Sequence, residues 1–162
     1  MKKKLLAVLA AFVIAGTSSV FAKTGIGAQG GFSAGTNNFG AALTFSVSDP
    51  WYFAVTLDGI GNGGLAVGVT ADNWLKNPKI EGTWGWYYGW GVAGSVAIGG
   101  DAIGLGVAPR LLIGTNVRLA KVFELYLQVA WQPTLNLFVG DSFRVGFAPF
   151  VIPANFGFRF WF

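Results

Sequence analysis

Asp58, Arg110, Glu124 and Arg159 are the charged residues whose placement bears on chemistry, because each stands on the polar side of a run in which apolar and polar residues alternate. Alternation of period two belongs to β-strands, so these four charges share the face opposite the apolar one. An ion on the enclosed face of a sheet must be paired or hydrated. Counting along the last two runs, Glu124 falls just after the start of one and Arg159 just before the end of the other, so the pair should meet side by side. Arg110 should join them through Tyr126 and Gln128 on the neighbouring strand. Two readings suit such a network: a salt-bridged plug that satisfies a narrow interior, or a gate for a small polar solute. The many Gly and Ala residues on the same face favour some free volume and keep the second reading open.

Reaction chemistry finds little else to work with. The chain holds no His and no Cys, so a Ser–His or Cys–His nucleophile cannot be assembled and zinc or copper would lack its usual ligands. Asp58 and Glu124 belong to runs far apart in sequence order, which argues against a working carboxylate pair. A carboxylate-only calcium site is the one metal option the composition leaves, and neither a catalytic residue nor a cofactor is expected. Gly59-Ile60-Gly61-Asn62-Gly63-Gly64 has the spelling of a dinucleotide-binding loop, but that loop needs a helix N-terminus directly after it. Leu65-Ala66-Val67-Gly68-Val69 follows instead, a strand pattern, and Asn62-Gly63 is better read as a hairpin turn.

Eight alternating runs position these residues. Ile26 to Phe32 is followed by a Gly35-Thr36-Asn37-Asn38 turn. Phe39, Leu43, Phe45 and Val47 then share one face, and Asp49-Pro50 ends that run. Phe53, Val55 and Leu57 alternate with Ala54, Thr56 and Asp58, and Leu65, Val67 and Val69 with Ala66, Gly68 and Thr70. After a connection over residues 72–82, where Trp74-Leu75 should dock on a rim or lie at an interface, Trp84 to Ile98 forms the fifth run and Ile103 to Val117 the sixth. In the seventh, Phe123, Leu125, Leu127, Val129 and Trp131 alternate without a lapse with Glu124, Tyr126, Gln128, Ala130 and Gln132. The eighth sets Phe156, Phe158, Phe160 and Phe162 against Asn155, Gly157, Arg159 and Trp161. Residues 139–153 read as the largest loop, with Phe143, Val145, Phe147, Phe150, Val151 and Ile152 able instead to extend the last strand or fold back into a barrel mouth.

An even number of antiparallel strands with an apolar outer face predicts an all-β, eight-stranded, up-and-down transmembrane β-barrel. Phe156, Phe158, Phe160 and Phe162 form its closing-strand signature. Trp51, Trp84, Trp86, Tyr88, Trp90 and Trp131 are placed as aromatic girdles near strand ends. The inverse barrel, polar outside with an apolar ligand within, would need a surface that is ~25–35% charged, and neither face of these strands is so charged. At the N-terminus, Lys2-Lys3-Lys4, the apolar stretch over 5–16 and the small residue Ala22 predict a signal peptide over 1–22, cleaved to leave a barrel over 23–162. Removing three of the eleven basic residues leaves eight against seven acidic ones, a balance that gives no support to nucleic-acid binding.

The segments Asp72-Asn73-Trp74-Leu75, Tyr87-Tyr88-Gly89-Trp90-Gly91, Arg110-Leu111-Leu112-Ile113-Gly114 and Phe123-Glu124-Leu125-Tyr126-Leu127-Gln128-Val129 carry a resemblance. Through them most of the chain after residue 60 resembles a family of small spirochaetal outer-membrane barrels of uncharacterised function. More distantly it is similar to the OmpA and OmpX transmembrane barrels. The resemblance implies a fold and an outer-membrane address, reached through the periplasm, and implies no reaction. The partners it implies are outer-membrane lipid, periplasmic chaperones and the barrel-assembly machinery around a monomer. An external ligand is unknown, and short outer loops weigh against adhesion.

Overall fold

The computed structural model describes residues 24–36, 38–48, 50–60, 64–99, 102–119, 122–139 and 143–162. The expected leader over 1–22 and its cleavage point lie outside them, as do Asn62 and Gly63 of the expected turn. Eleven strands follow in chain order: β1 (Gly25–Ala34), β2 (Asn38–Ser48), β3 (Trp51–Ile60), β4 (Gly64–Lys76), β5 (Lys79–Glu81), β6 (Trp84–Gly99), β7 (Ala102–Leu119), β8 (Phe123–Trp131), β9 (Thr134–Val139), β10 (Arg144–Ala148) and β11 (Ile152–Trp161). Each strand pairs antiparallel with its neighbours. The barrel wall runs β1-β2-β3-β4-β6-β7-β8-β11 and closes where β11 pairs with β1, from Gly25 opposite Trp161 to Ala34 opposite Ile152.

The pattern of the sequence sets the two faces. Leu43, Val69, Leu111 and Phe158 point outward and are exposed, while Tyr52, Trp74, Tyr87, Leu112, Tyr126, Ala130 and Trp161 pack as one cluster in the lumen. Closure leaves no sheet edge on these eight strands, which is the condition for β-structure to sit in a medium without water.

Two departures from the expected layout have physical causes. Residues 72–76 are not a connection, because β4 keeps its alternation through Ala66, Gly68, Thr70, Asp72 and Trp74 before a bulge between Trp74 and Lys76. Residues 139–153 are not one loop either. β9 pairs with β7 from Val107 opposite Leu135 to Ile103 opposite Val139, beside the stretch that β8 has paired up to Leu111 opposite Trp131. Pro109 of β7 and Pro133 fall in the gap between these two ladders. Neither carries an N–H, so the ladder must break there. β10 then pairs with β9, and Gln132 donates its backbone N–H to the Val151 carbonyl at 2.8 Å, tying the break to the start of β11.

Candidate functional site

Glu124 and Arg159 are direct partners across β8 and β11, and Arg159 Nη1 lies 3.0 Å from Glu124 Oε2. Both are buried. Glu124 also accepts hydrogen bonds from Trp161 Nε1 (3.0 Å), Asn116 Nδ2 (2.6 Å) and Arg118 Nη2 (3.3 Å), so its two oxygens are fully used. The Arg159 guanidinium lies among aromatic rings, 4.6 Å from the centroid of Tyr52, 4.7 Å from Tyr126, 5.5 Å from Trp74 and 5.7 Å from Trp161. Ring quadrupoles and one carboxylate together replace the water that this cation has lost.

A second ion pair lies nearer the loop end. Asp72 accepts from Arg110 Nε at 2.9 Å and Nη2 at 3.3 Å, in the two-pronged geometry that suits a guanidinium, and from Gln128 Nε2 at 3.1 Å. Arg110 Nη1 donates to Gln132 Oε1, and the Tyr87 hydroxyl donates to Gln128 Oε1 at 3.2 Å. Tyr126 donates over Gly157 of β11 to Gln29 Oε1 on β1 at 2.8 Å.

Aromatic rings link the two pairs. Tyr52 stacks on Trp74 with centroids 3.7 Å apart, and Trp74 stacks on Tyr87 at 3.5 Å. Strand register explains how such large groups fit. Tyr126 faces Gly157, Tyr87 faces Gly114 and Asp72 faces Gly91, each as direct cross-strand partners. In every case the large side chain occupies the place where a Cβ on the glycine would stand. An inward glycine is thus the seat of its neighbour's side chain.

Above this plug a recess of about 170 Å³ opens, lined by Asp58, Thr56, Ser95, Asn136 and Asn155 among others, with Arg110 and Gln132 on its floor. Asp58 lies over Gly40, its partner on β2, and accepts a hydrogen bond from Thr56. Asp58 therefore stands apart from the ion-pair network in which the sequence had grouped it, since parity fixes the face of a residue and not its height. The structure brings Arg110 and Gln128 together through Asp72, and Glu124 together with Arg159, while Tyr126 joins Arg159 and Gln29. Trp74, expected at a rim or interface, is a lumen residue, and so are Tyr52 and Trp161.

Asp72 was missed because Asp72-Asn73 carries the look of a turn, although continuing the alternation past Thr70 places it inward. The aromatic residues assigned to girdles lie outside the lumen. Trp51 and Trp90 meet edge to face at 5.7 Å, Trp86 and Tyr88 stack at 5.6 Å, Trp84 donates to Thr115 Oγ1, and Trp131 donates to the Pro149 carbonyl at 2.8 Å. Trp90 sits well inside β6 rather than at its end; it reaches Trp51 because the two share a row through Asn73. Among the described residues no group of three or more Asp or Glu converges as a metal site.

No family model matches the chain, and no curated protein matches it. Neither comparison supports the spirochaetal resemblance. Among solved structures the chain is similar to the N-terminal β-barrel domain of Pseudomonas aeruginosa OprF, at 16% identity over 86% of this chain and 97% of that one, with a TM-score of 0.50. At that identity the likeness is one of fold, an OmpA-like eight-stranded β-barrel.

Proposed function

We propose that the protein is an integral outer-membrane barrel with a non-enzymatic, structural role in the envelope and a lumen closed by its own side chains. The observation that carries this reading is the Tyr52, Trp74 and Tyr87 stack set between the Asp72–Arg110 and Glu124–Arg159 pairs. An interior built to pass solute does not spend two ion pairs and three stacked rings on filling itself. The outer face supports a membrane address, since the outward residues of β6 and β7 include no charge from Trp84 to Ile98 or from Ile103 to Val117. A single Lys or Arg at mid-bilayer on such a face costs about 2–4 kcal/mol.

The leader expected over 1–22 supplies export, and the alternating Phe of β11 suits a chain handed by periplasmic chaperones to the barrel-assembly machinery. Refolded in detergent, the protein should run as a compact band that shifts on boiling and should carry no steady current across a planar bilayer. A narrow channel for small polar solutes is the second reading, favoured by the recess alone. Steady current from unaltered protein would put it first.

A further inference from the structure

The geometry points to a ligand site in the recess on the loop side of the plug, shaped for a small hydroxylated primary ammonium compound of about the size of one amino-sugar ring. Among the residues lining it only Asp58 and Arg110 are charged. All three guanidinium nitrogens of Arg110 are engaged, two by Asp72 and one by Gln132, so its charge is already matched by Asp72. Asp58 takes part in none of the three ion pairs among the described residues and keeps only the Thr56 hydroxyl. The recess therefore carries a net negative charge in a half-enclosed, low-dielectric space, where an unmatched carboxylate is costly. A cation from outside would remove that cost.

The rest of the lining narrows the class. Ser95, Thr56, Asn136 and Asn155 are uncharged groups that both donate and accept hydrogen bonds, which suits hydroxyls. The stacked rings of the lumen lie in the plug below, none of Tyr52, Trp74, Tyr87 or Tyr126 lines the recess, and Phe32, the one aromatic residue among its described lining residues, is 58% exposed on the outward parity of β1. A quaternary ammonium, which is recognised by aromatic faces, is thus disfavoured against a primary one that can donate to Asp58. The volume agrees, since a cavity of ~150 Å³ accommodates a six-membered ring, and the recess is about 170 Å³.

The site does not depend on whether the barrel conducts, and the test keeps the two apart by using binding to protein whose folding is verified by its boiling shift. Glucosamine, glucose and choline are titrated separately into the detergent-refolded barrel and followed by calorimetry and by saturation-transfer NMR. Glucosamine should bind at least about tenfold more tightly than either of the others, and Asp58→Asn should remove that preference. Ala66, the partner of Asp58 on β4, also lines the recess. Ala66→Leu fills the space without touching the charge and should abolish binding while the boiling shift persists, which covers the case in which Asp58→Asn fails to fold. Equal affinity for glucose, glucosamine binding retained by Asp58→Asn or by Ala66→Leu, or no binding of glucosamine at all would overturn the assignment.

Discussion

Tyr126 and Gly157 face each other across β8 and β11, and the phenol of the one stands 2.6 Å from where a Cβ on the other would be. The tyrosine reaches over Gly157 and is pinned there by its hydrogen bond to Gln29 on β1, so it cannot swing aside without losing that partner. Gly157→Ala is expected to destabilise the barrel by about 1–3 kcal/mol, the usual cost of overpacking. Gly30→Ala, where the nearest atom to a new Cβ is 3.9 Å away, should be tolerated. The comparison is read from urea unfolding in lipid vesicles, and equal midpoints for the two variants would contradict the seating of Tyr126 on Gly157.

The same relationship explains what the sequence could and could not reveal. Alternation alone assigned the faces of Glu124, Tyr126, Gln128 and Arg159, and counting along one hairpin put Glu124 beside Arg159. It had no means of setting the height of Asp58 against theirs, because height depends on the register of the four pairings that separate β3 from β8. Asp72-Asn73 and Pro133 look alike as turn signals. The first is overruled because Arg110 and Gln128 satisfy the inward carboxylate, and the second holds because proline has no N–H to give. Trp74 was hidden for the same reason as Asp72, since its ring is apolar and only the two tyrosines stacked on either side account for its inward turn.

Among the described residues Glu124 is the one carboxylate paired with Arg159, so removing it leaves a cation among rings. Glu124→Ala should lower stability by about 3–5 kcal/mol. Glu124→Gln combined with Arg159→Met, which removes both charges, should recover much of that loss. Arg159→Lys keeps the charge but gives up the planar group that lies over Tyr52 and Tyr126, and should fall between the two. Urea unfolding of the four proteins under one lipid composition checks the order. A double variant no more stable than Glu124→Ala would mean that the pair does not act as a unit.

Closure of the lumen rests on the ring stack more than on the ions, because Trp74 spans from Tyr52 to Tyr87. Trp74→Ala combined with Tyr87→Ala should give discrete single-channel currents where the unaltered protein is silent. Asp72→Asn, which leaves the stack in place, should stay silent or nearly so. Currents from Asp72→Asn as large as those from the double alanine variant would shift the closure from the rings to the ion pair.

Trp74 and Trp90 lie one residue apart in register, Trp90 facing Asn73 across β4 and β6, so Trp74 is buried in the lumen and Trp90 is 44% exposed on the outer wall. Single-tryptophan variants that retain one or the other should separate cleanly in vesicles whose acyl chains carry bromine. Trp90 emission should be quenched strongly, whereas Trp74, shielded by the wall and by two stacked rings, should hold most of its intensity. Aqueous quencher should leave Trp74 dim to it as well, since the Asp72–Arg110 pair covers it from the loop side. Strong bromine quenching of Trp74 would return that residue to the membrane interface and, with it, remove the centre of the plug on which the silent barrel depends.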